Sequence, residues 1–137
     1  MYLPRHIWFV LVVIMISSCS TETLDVTSPT GKLGVTVKPM EGKAYDKITF
    51  SVNYDGKTIL SQTELGLETD IQKFYGNLKL KSVSKAKRII DDYKMITGKR
   101  SHCINEAFER TYSFENQEGN TMDITFRVYS KGVVLRY

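Results

Sequence analysis

Apolar and polar side chains alternate along most of the chain beyond residue 28, and that period predicts a protein built from short β-strands. Leu33, Val35 and Val37 fall on one face of a strand, with Gly34 and Thr36 on the other. Ile48, Phe50, Val52 and Tyr54 alternate with Thr49, Ser51 and Asn53. Asp55-Gly56 then offers the two positive-φ positions of a tight hairpin turn, and Lys57 to Leu60 returns. Leu65-Gly66-Leu67 and Leu78-Lys79-Leu80 are shorter strand candidates. Phe108, Arg110, Tyr112 and Phe114 alternate with Glu109, Thr111 and Ser113, and Asn116 to Asn120 forms a polar turn containing Gly119. Met122, Ile124, Phe126 and Val128 mark another strand, which Ser130-Lys131-Gly132 turns into a last one, Val133 to Tyr137. The predicted fold class is all-β, an antiparallel sandwich with short connections. One segment departs from the pattern. In Lys85 to Thr97, Ala86, Ile89, Ile90, Tyr93 and Ile96 sit at helical spacing, although Ile and Tyr suit strands equally well.

The first residues follow a different rule. After Arg5 and His6 an unbroken apolar run extends from Ile7 to Ile16. It is about half the roughly 20 residues that a membrane-spanning helix needs, and it fits a secretory signal. Ile16-Ser17-Ser18-Cys19 has the form of a lipobox, with small residues before a cysteine whose thiol accepts a diacylglyceryl group. The organisation read from this is a lipoprotein signal peptide over 1–18, a polar tether over 19–28 and a β domain over 29–137. An ordinary signal peptide with a cysteine near its end is the plainer alternative. Lipidation at Cys19 implies an exported protein held to a membrane of the cell envelope, and Ser20 after it is compatible with an outer membrane. Cys103 is then left without an intrachain partner; a Cys19–Cys103 bridge is the other arithmetic possibility.

Composition narrows the chemistry. With 137 residues the chain holds one domain at most, and 42% hydrophobic content with 25% charge is ordinary for a globular protein. A net charge of +4 is too mild for a nucleic-acid binder, so no nucleic-acid partner is expected. Two His and two Cys leave few site candidates. Asp91-Asp92 and Glu106 with Glu109 are the only tight acidic pairs with neighbours of interest, and surface acids paired with cations account for them more simply than catalysis. His102, Cys103, Glu106 and Glu109 match no standard zinc spacing. Lys79, Lys81, Lys85, Lys87, Arg88, Lys99 and Arg100 gather positive charge, read first as a lysine-rich edge that discourages strand pairing and second as a contact for anionic glycan or lipid headgroups. Arg127 and Arg136 are expected to pack their stems while their heads reach acids elsewhere, including parts outside the chain. Tyr54, Tyr75, Tyr93, Tyr112 and Tyr129, with Phe74, could form a sugar-stacking platform, but packing into the core is the default.

A resemblance adds to this reading. The mature chain resembles the beginning of the N-terminal domain of glycoside hydrolase family 97, whose members act as α-glucosidases and α-galactosidases. The stretches that carry it run in the family's order: Ser28-Pro29-Thr30-Gly31-Lys32-Leu33, Tyr54-Asp55-Gly56-Lys57, Leu65-Gly66-Leu67-Glu68, Ser82-Val83-Ser84, Asp91-Asp92-Tyr93 and Gly98-Lys99-Arg100-Ser101. Asn105 and Glu109 follow, and the closing Phe126 to Tyr137, with its Arg-aromatic strand, glycine turn and final Arg-Tyr, is the best match. Glu106-Ala107-Phe108 departs from the family, as do Thr30 and Lys131 where an acid is common. The resemblance implies the first part of a galactose-mutarotase-like super-sandwich. It implies that a following (β/α)₈ barrel would carry the catalytic carboxylates, contact with carbohydrate and most ligands of a calcium ion, so no catalytic, metal or cofactor residue transfers to this chain. The apolar period running to Tyr137 without a polar tail agrees with an expectation of truncation. A stand-alone lipoprotein that binds carbohydrate or a partner protein without chemistry is the alternative.

Overall fold

The alternating positions become two facing β-sheets in the computed structural model, which describes residues 24–39 and 47–137. Its strands are β1 (Asp25–Thr27), β2 (Leu33–Pro39), β3 (Ile48–Tyr54), β4 (Lys57–Leu65), β5 (Leu67–Glu68), β6 (Lys73–Phe74), β7 (Lys79–Val83), β8 (Lys87–Lys94), β9 (His102–Glu115), β10 (Thr121–Tyr129) and β11 (Gly132–Arg136). One sheet has the order β1-β2-β3-β4. The other runs β11-β10-β9, with β7 and β8 both on the far side of β9, and β5-β6 form a small separate ladder. Every pairing is antiparallel.

Period two decides which side chains meet between the sheets. Leu33, Val35 and Val37 of β2, with Ile48 and Val52 of β3, face Met122, Ile124, Phe126 and Val128 of β10 and Tyr112 and Phe114 of β9. Phe126 is fully buried, and its ring lies 5.2 Å from that of Phe50 and 6.0 Å from that of Tyr112. Arg110 shares this inward face and is buried, as its place in the alternation predicts. Its Nε donates to Ser84 O (2.9 Å) and its Nη1 to Asp25 O (2.9 Å), so backbone carbonyls of both sheets' strand ends hold the charge.

The turns obey local chemistry. Asp55 (φ 48°) and Gly56 (φ 78°) make the expected hairpin between β3 and β4, with Tyr54 opposite Lys57. Between β9 and β10 the Asn116 side chain closes the turn, its Oδ1 accepting from the amides of Glu118 (3.1 Å) and Asn120 (2.9 Å).

One segment left open by its period is settled, and two local expectations change. Residues 85–97 form no helix: β8 occupies most of the segment, because pairing along β9 from His102 to Glu109 satisfies its backbone. Asp25–Thr27, placed within the tether by composition, is a strand on β2, and Val26 and Ser28 are buried. Three residues are too few to show a period. Leu65-Gly66-Leu67 is a junction rather than one strand. A Cβ on Gly66 would come within 2.8 Å of the Tyr75 ring, so β4 ends and β5 begins where only glycine fits. The signal segment and Cys19 lie outside the described residues.

Tyr112 generates a test of the core. Its hydroxyl donates to Leu24 O at 2.7 Å, and burial pushes the phenol up to about 12. An unfolded tyrosine ionises near pH 10, so the folded chain holds its proton over an interval in which the unfolded chain has lost it. Stability from this source is intact below about pH 10 and drains away as pH rises toward the folded value. Urea titrations should show that loss in the native chain. Tyr112→Phe should flatten it, at a cost of about 1 kcal/mol near neutral pH for the lost hydrogen bond; an alkaline loss of equal size in both proteins would refute the assignment.

Candidate functional site

The outward face of the β8-β9-β10-β11 sheet carries the densest polar cluster among the described residues. Register sets it up: Arg127 stands opposite Glu109 on β9 and Val134 on β11, while Tyr129 stands opposite Ala107. Arg127 Nε and Nη2 both donate to Glu109 Oε2, at 2.9 and 2.7 Å. Its Nη1 reaches Asp91 Oδ1 at 3.2 Å, and the Tyr129 hydroxyl donates to the other Asp91 oxygen. Bonds to Tyr129 and then Glu109 hold the guanidinium further above its already high range. Three strands thus contribute one cation, two carboxylates and a phenol. A cavity of about 120 Å³ lies beside them, lined by Glu109, Thr125, Arg127, Tyr129, Val134 and Arg136.

What this arrangement can do chemically is limited. Both carboxylates are spent on a cation that does not titrate in proteins, so neither is set up as a general acid or a nucleophile. The acidic pairs singled out in the sequence are pulled apart by the pleat. Asp91 faces Arg127, whereas Asp92 faces the other side and pairs with His102. Glu106 pairs with Arg88, which holds its carboxyl below the usual range, and Glu109 pairs with Arg127. Glycoside hydrolysis needs two carboxyl groups opposed across a sugar. These two pairs do not supply them.

His102 and Cys103 likewise point to opposite faces of β9, and the Cys103 thiol donates to Met95 Sδ at 3.7 Å. Among the described residues no three His, Cys, Asp or Glu side chains converge as metal ligands. The basic region sits on β7, β8, the connection between them and the turn after β8; Lys81 pairs with Glu115 and Arg88 with Glu106. Tyr112 and Phe74 are core residues, but Tyr54, Tyr75 and Tyr93 are exposed, so packing does not account for most of that aromatic set. Tyr54 lies on β3, Tyr93 on β8 and Tyr75 in the bend after β6, and no ring contact joins them among the described residues. The Arg127 head finds its acids within the chain, where the sequence suggested partners elsewhere. Alternation places Arg127 and Glu109 on outward faces, but only register puts them side by side.

A second feature is apolar. At the open side of the sandwich a cleft of about 310 Å³ runs between the β3–β4 hairpin and the β10–β11 turn, lined by Leu33, Val52, Tyr54, Ile59, Leu60, Lys131, Gly132 and Val133.

A family model described as the glycosyl-hydrolase 97 N-terminal domain matches residues 26–137, nearly all of the described chain. The chain belongs to that family. Over 116 residues it is 24% identical to a protein of Streptomyces bingchenggensis (strain BCW-1) named a probable retaining alpha-galactosidase, covering 85% of this chain and 18% of that protein. A solved beta-arabinopyranosidase superposes with a TM-score of 0.73 and 33% identity over 81% of this chain and 17% of its own. A family 97 enzyme from Pseudoalteromonas sp. strain K8, solved with panose, gives a TM-score of 0.72 at 22% identity, over 82% of this chain and 17% of its own. The chain thus spans less than a fifth of the length of these relatives.

The outward cluster predicts a coupled mutational response. Arg127→Met keeps the apolar stem and strands Glu109 and Asp91 side by side, which should cost about 1–3 kcal/mol by urea unfolding. Adding Asp91→Asn and Glu109→Gln to that variant should recover part of the loss. A strictly additive triple variant would show that the cluster is not a unit.

Proposed function

We propose that this chain is the non-catalytic N-terminal β-sandwich part of an exported family 97 glycoside hydrolase acting on α-glucosides or α-galactosides. It is the scaffold on which a catalytic barrel packs, and carbohydrate and calcium are engaged by that barrel and by later parts of the N-terminal domain. The open side of the sandwich carries this reading: the cleft between β4 and β11 leaves Tyr54, Ile59 and Leu60 exposed over the buried Leu33 and Val52, apolar surface that a self-contained domain would cover. The names of the relatives support the glycosidase assignment, and their greater length supports a part within a whole. The paired state of Asp91, Asp92, Glu106 and Glu109 supports a structural rather than a chemical role. Export and anchoring rest on the Ile7 to Ile16 run and on Cys19 in its lipobox.

Two measurements test this. The purified chain should give no turnover of nitrophenyl α-glucoside or α-galactoside above a buffer blank, and hydrolysis that survives repurification would refute the non-catalytic role. In cells of a diderm bacterium the chain should incorporate labelled fatty acid and fractionate with membranes, and Cys19→Ala should abolish the label. Label retained in that variant would refute the anchor.

A further inference from the structure

The hairpin that joins β8 to β9 carries chemistry that neither the core nor the outward cluster uses. β10 pairs with β9 only from Ala107 onward, so the residues before it continue past the sheet as a two-stranded ribbon, with Asp92 opposite Ile104 and Lys94 opposite His102. Such a ribbon has no second layer on which to bury apolar side chains. It nevertheless exposes Ile90, Tyr93, Met95 and Ile104, and Ile96 at its tip is exposed in full, at 103%. Lys94, Lys99 and Arg100 surround Ile96, and no acid lies between Tyr93 and His102. None of these three cations takes part in an ion pair among the described residues, in contrast to Lys81 and Arg88 nearby.

We propose that the tip of the β8–β9 ribbon is a docking element for an anionic lipid surface, with Ile96 and Met95 entering the interface and Lys94, Lys99 and Arg100 meeting the headgroups. The argument lies in how the two kinds of side chain are combined. A rigid protein partner is met by a flat apolar patch with a polar rim. Here Ile96 projects from a turn beside Met95, with three cations within four residues of it along the chain, which suits a fluid phase that closes around it and a surface of negative charge. Each such cation near an anionic surface strengthens partition roughly fivefold, so the tip gives a weak, salt-sensitive contact that adds to any other anchor. It does not depend on a lipid at Cys19, because its chemistry is contained within residues 93–100.

The test places the probe at the tip, so that adsorption through any other part of the chain goes unread. In the full chain carrying Trp8→Phe and Ile96→Trp, the tip holds the lone tryptophan. With vesicles of phosphatidylcholine mixed with phosphatidylglycerol, its emission should move to the blue and be quenched by brominated acyl chains. With phosphatidylcholine alone the response should be far weaker. Lys99→Glu with Arg100→Glu should cut partition by on the order of 25-fold or more, and added salt should act in the same direction. Both positions are exposed and outside any strand, so these variants leave the fold intact, and a circular dichroism spectrum checks it. A tip that responds to neither vesicle overturns the proposal in favour of a protein face as the partner. An equal response to both vesicles, unaffected by charge reversal, overturns the anionic recognition.

Discussion

β9 is the constraint on which the rest of the chain depends. It is the longest strand, His102–Glu115, and β7, β8 and β10 are all hydrogen-bonded to it; only β11 in that sheet is not. Two strands divide one of its sides between them, β8 along His102 to Glu109 and β7 along Tyr112 to Glu115. The other side belongs to β10, from Ala107 onward. That unequal occupancy gives the sheet its full width in the middle and an overhanging ribbon at one end. A one-residue slip of β9 would turn Tyr112 and Phe114 outward and bring Glu109 and Thr111 into the core. Both the core and the outer cluster therefore hold the register in place.

Two arginines on this sheet show how face decides chemistry. Arg110 lies on the inward side of β9, and carbonyls of Ser84 and Asp25 receive its donors. Through them it ties the end of β7 to β1 of the opposite sheet. Arg127 lies on the outward side of β10, where Glu109 and Asp91 neutralise it. The inner layer holds the two sheets together, whereas the outer cluster fixes β8 against β10 across β9.

Much of the fold was legible because its signals are local. Alternation placed Val35, Val37, Phe126 and Val128 inside, Asp55-Gly56 marked its hairpin, and Asn116 to Asn120 its turn. Two misses and one open choice share one cause. β1 and the junction at Gly66 are shorter than the window in which a period becomes visible. In residues 85–97 the same isoleucines satisfy two periods, and a long-range partner, β9, settles the choice. The cluster at Arg127 was half legible. Face could be read from the strand, but the acid that each cation would meet depends on register between segments 18 and 36 residues apart.

The edges of the two sheets complete the physical picture, because they are not treated alike. β4 is interrupted where Ser51 of β3 stands against both Ser61 and Gln62, and Gln62 takes a φ of 38°. A second irregularity between Val52 and Asn53 leaves Ile59 as an extra residue on β4. Bulges of this kind twist an edge and spoil it as a template. β11 has neither bulge nor central charge: Val133, Val134 and Leu135 run in unbroken register with Val128, Arg127 and Phe126. The apolar cleft opens between these two strands. With one of these edges blunted and the other left regular, β11 keeps the unbroken backbone geometry that strand pairing requires, and its Leu135 and Val133 continue the layer that holds Phe126.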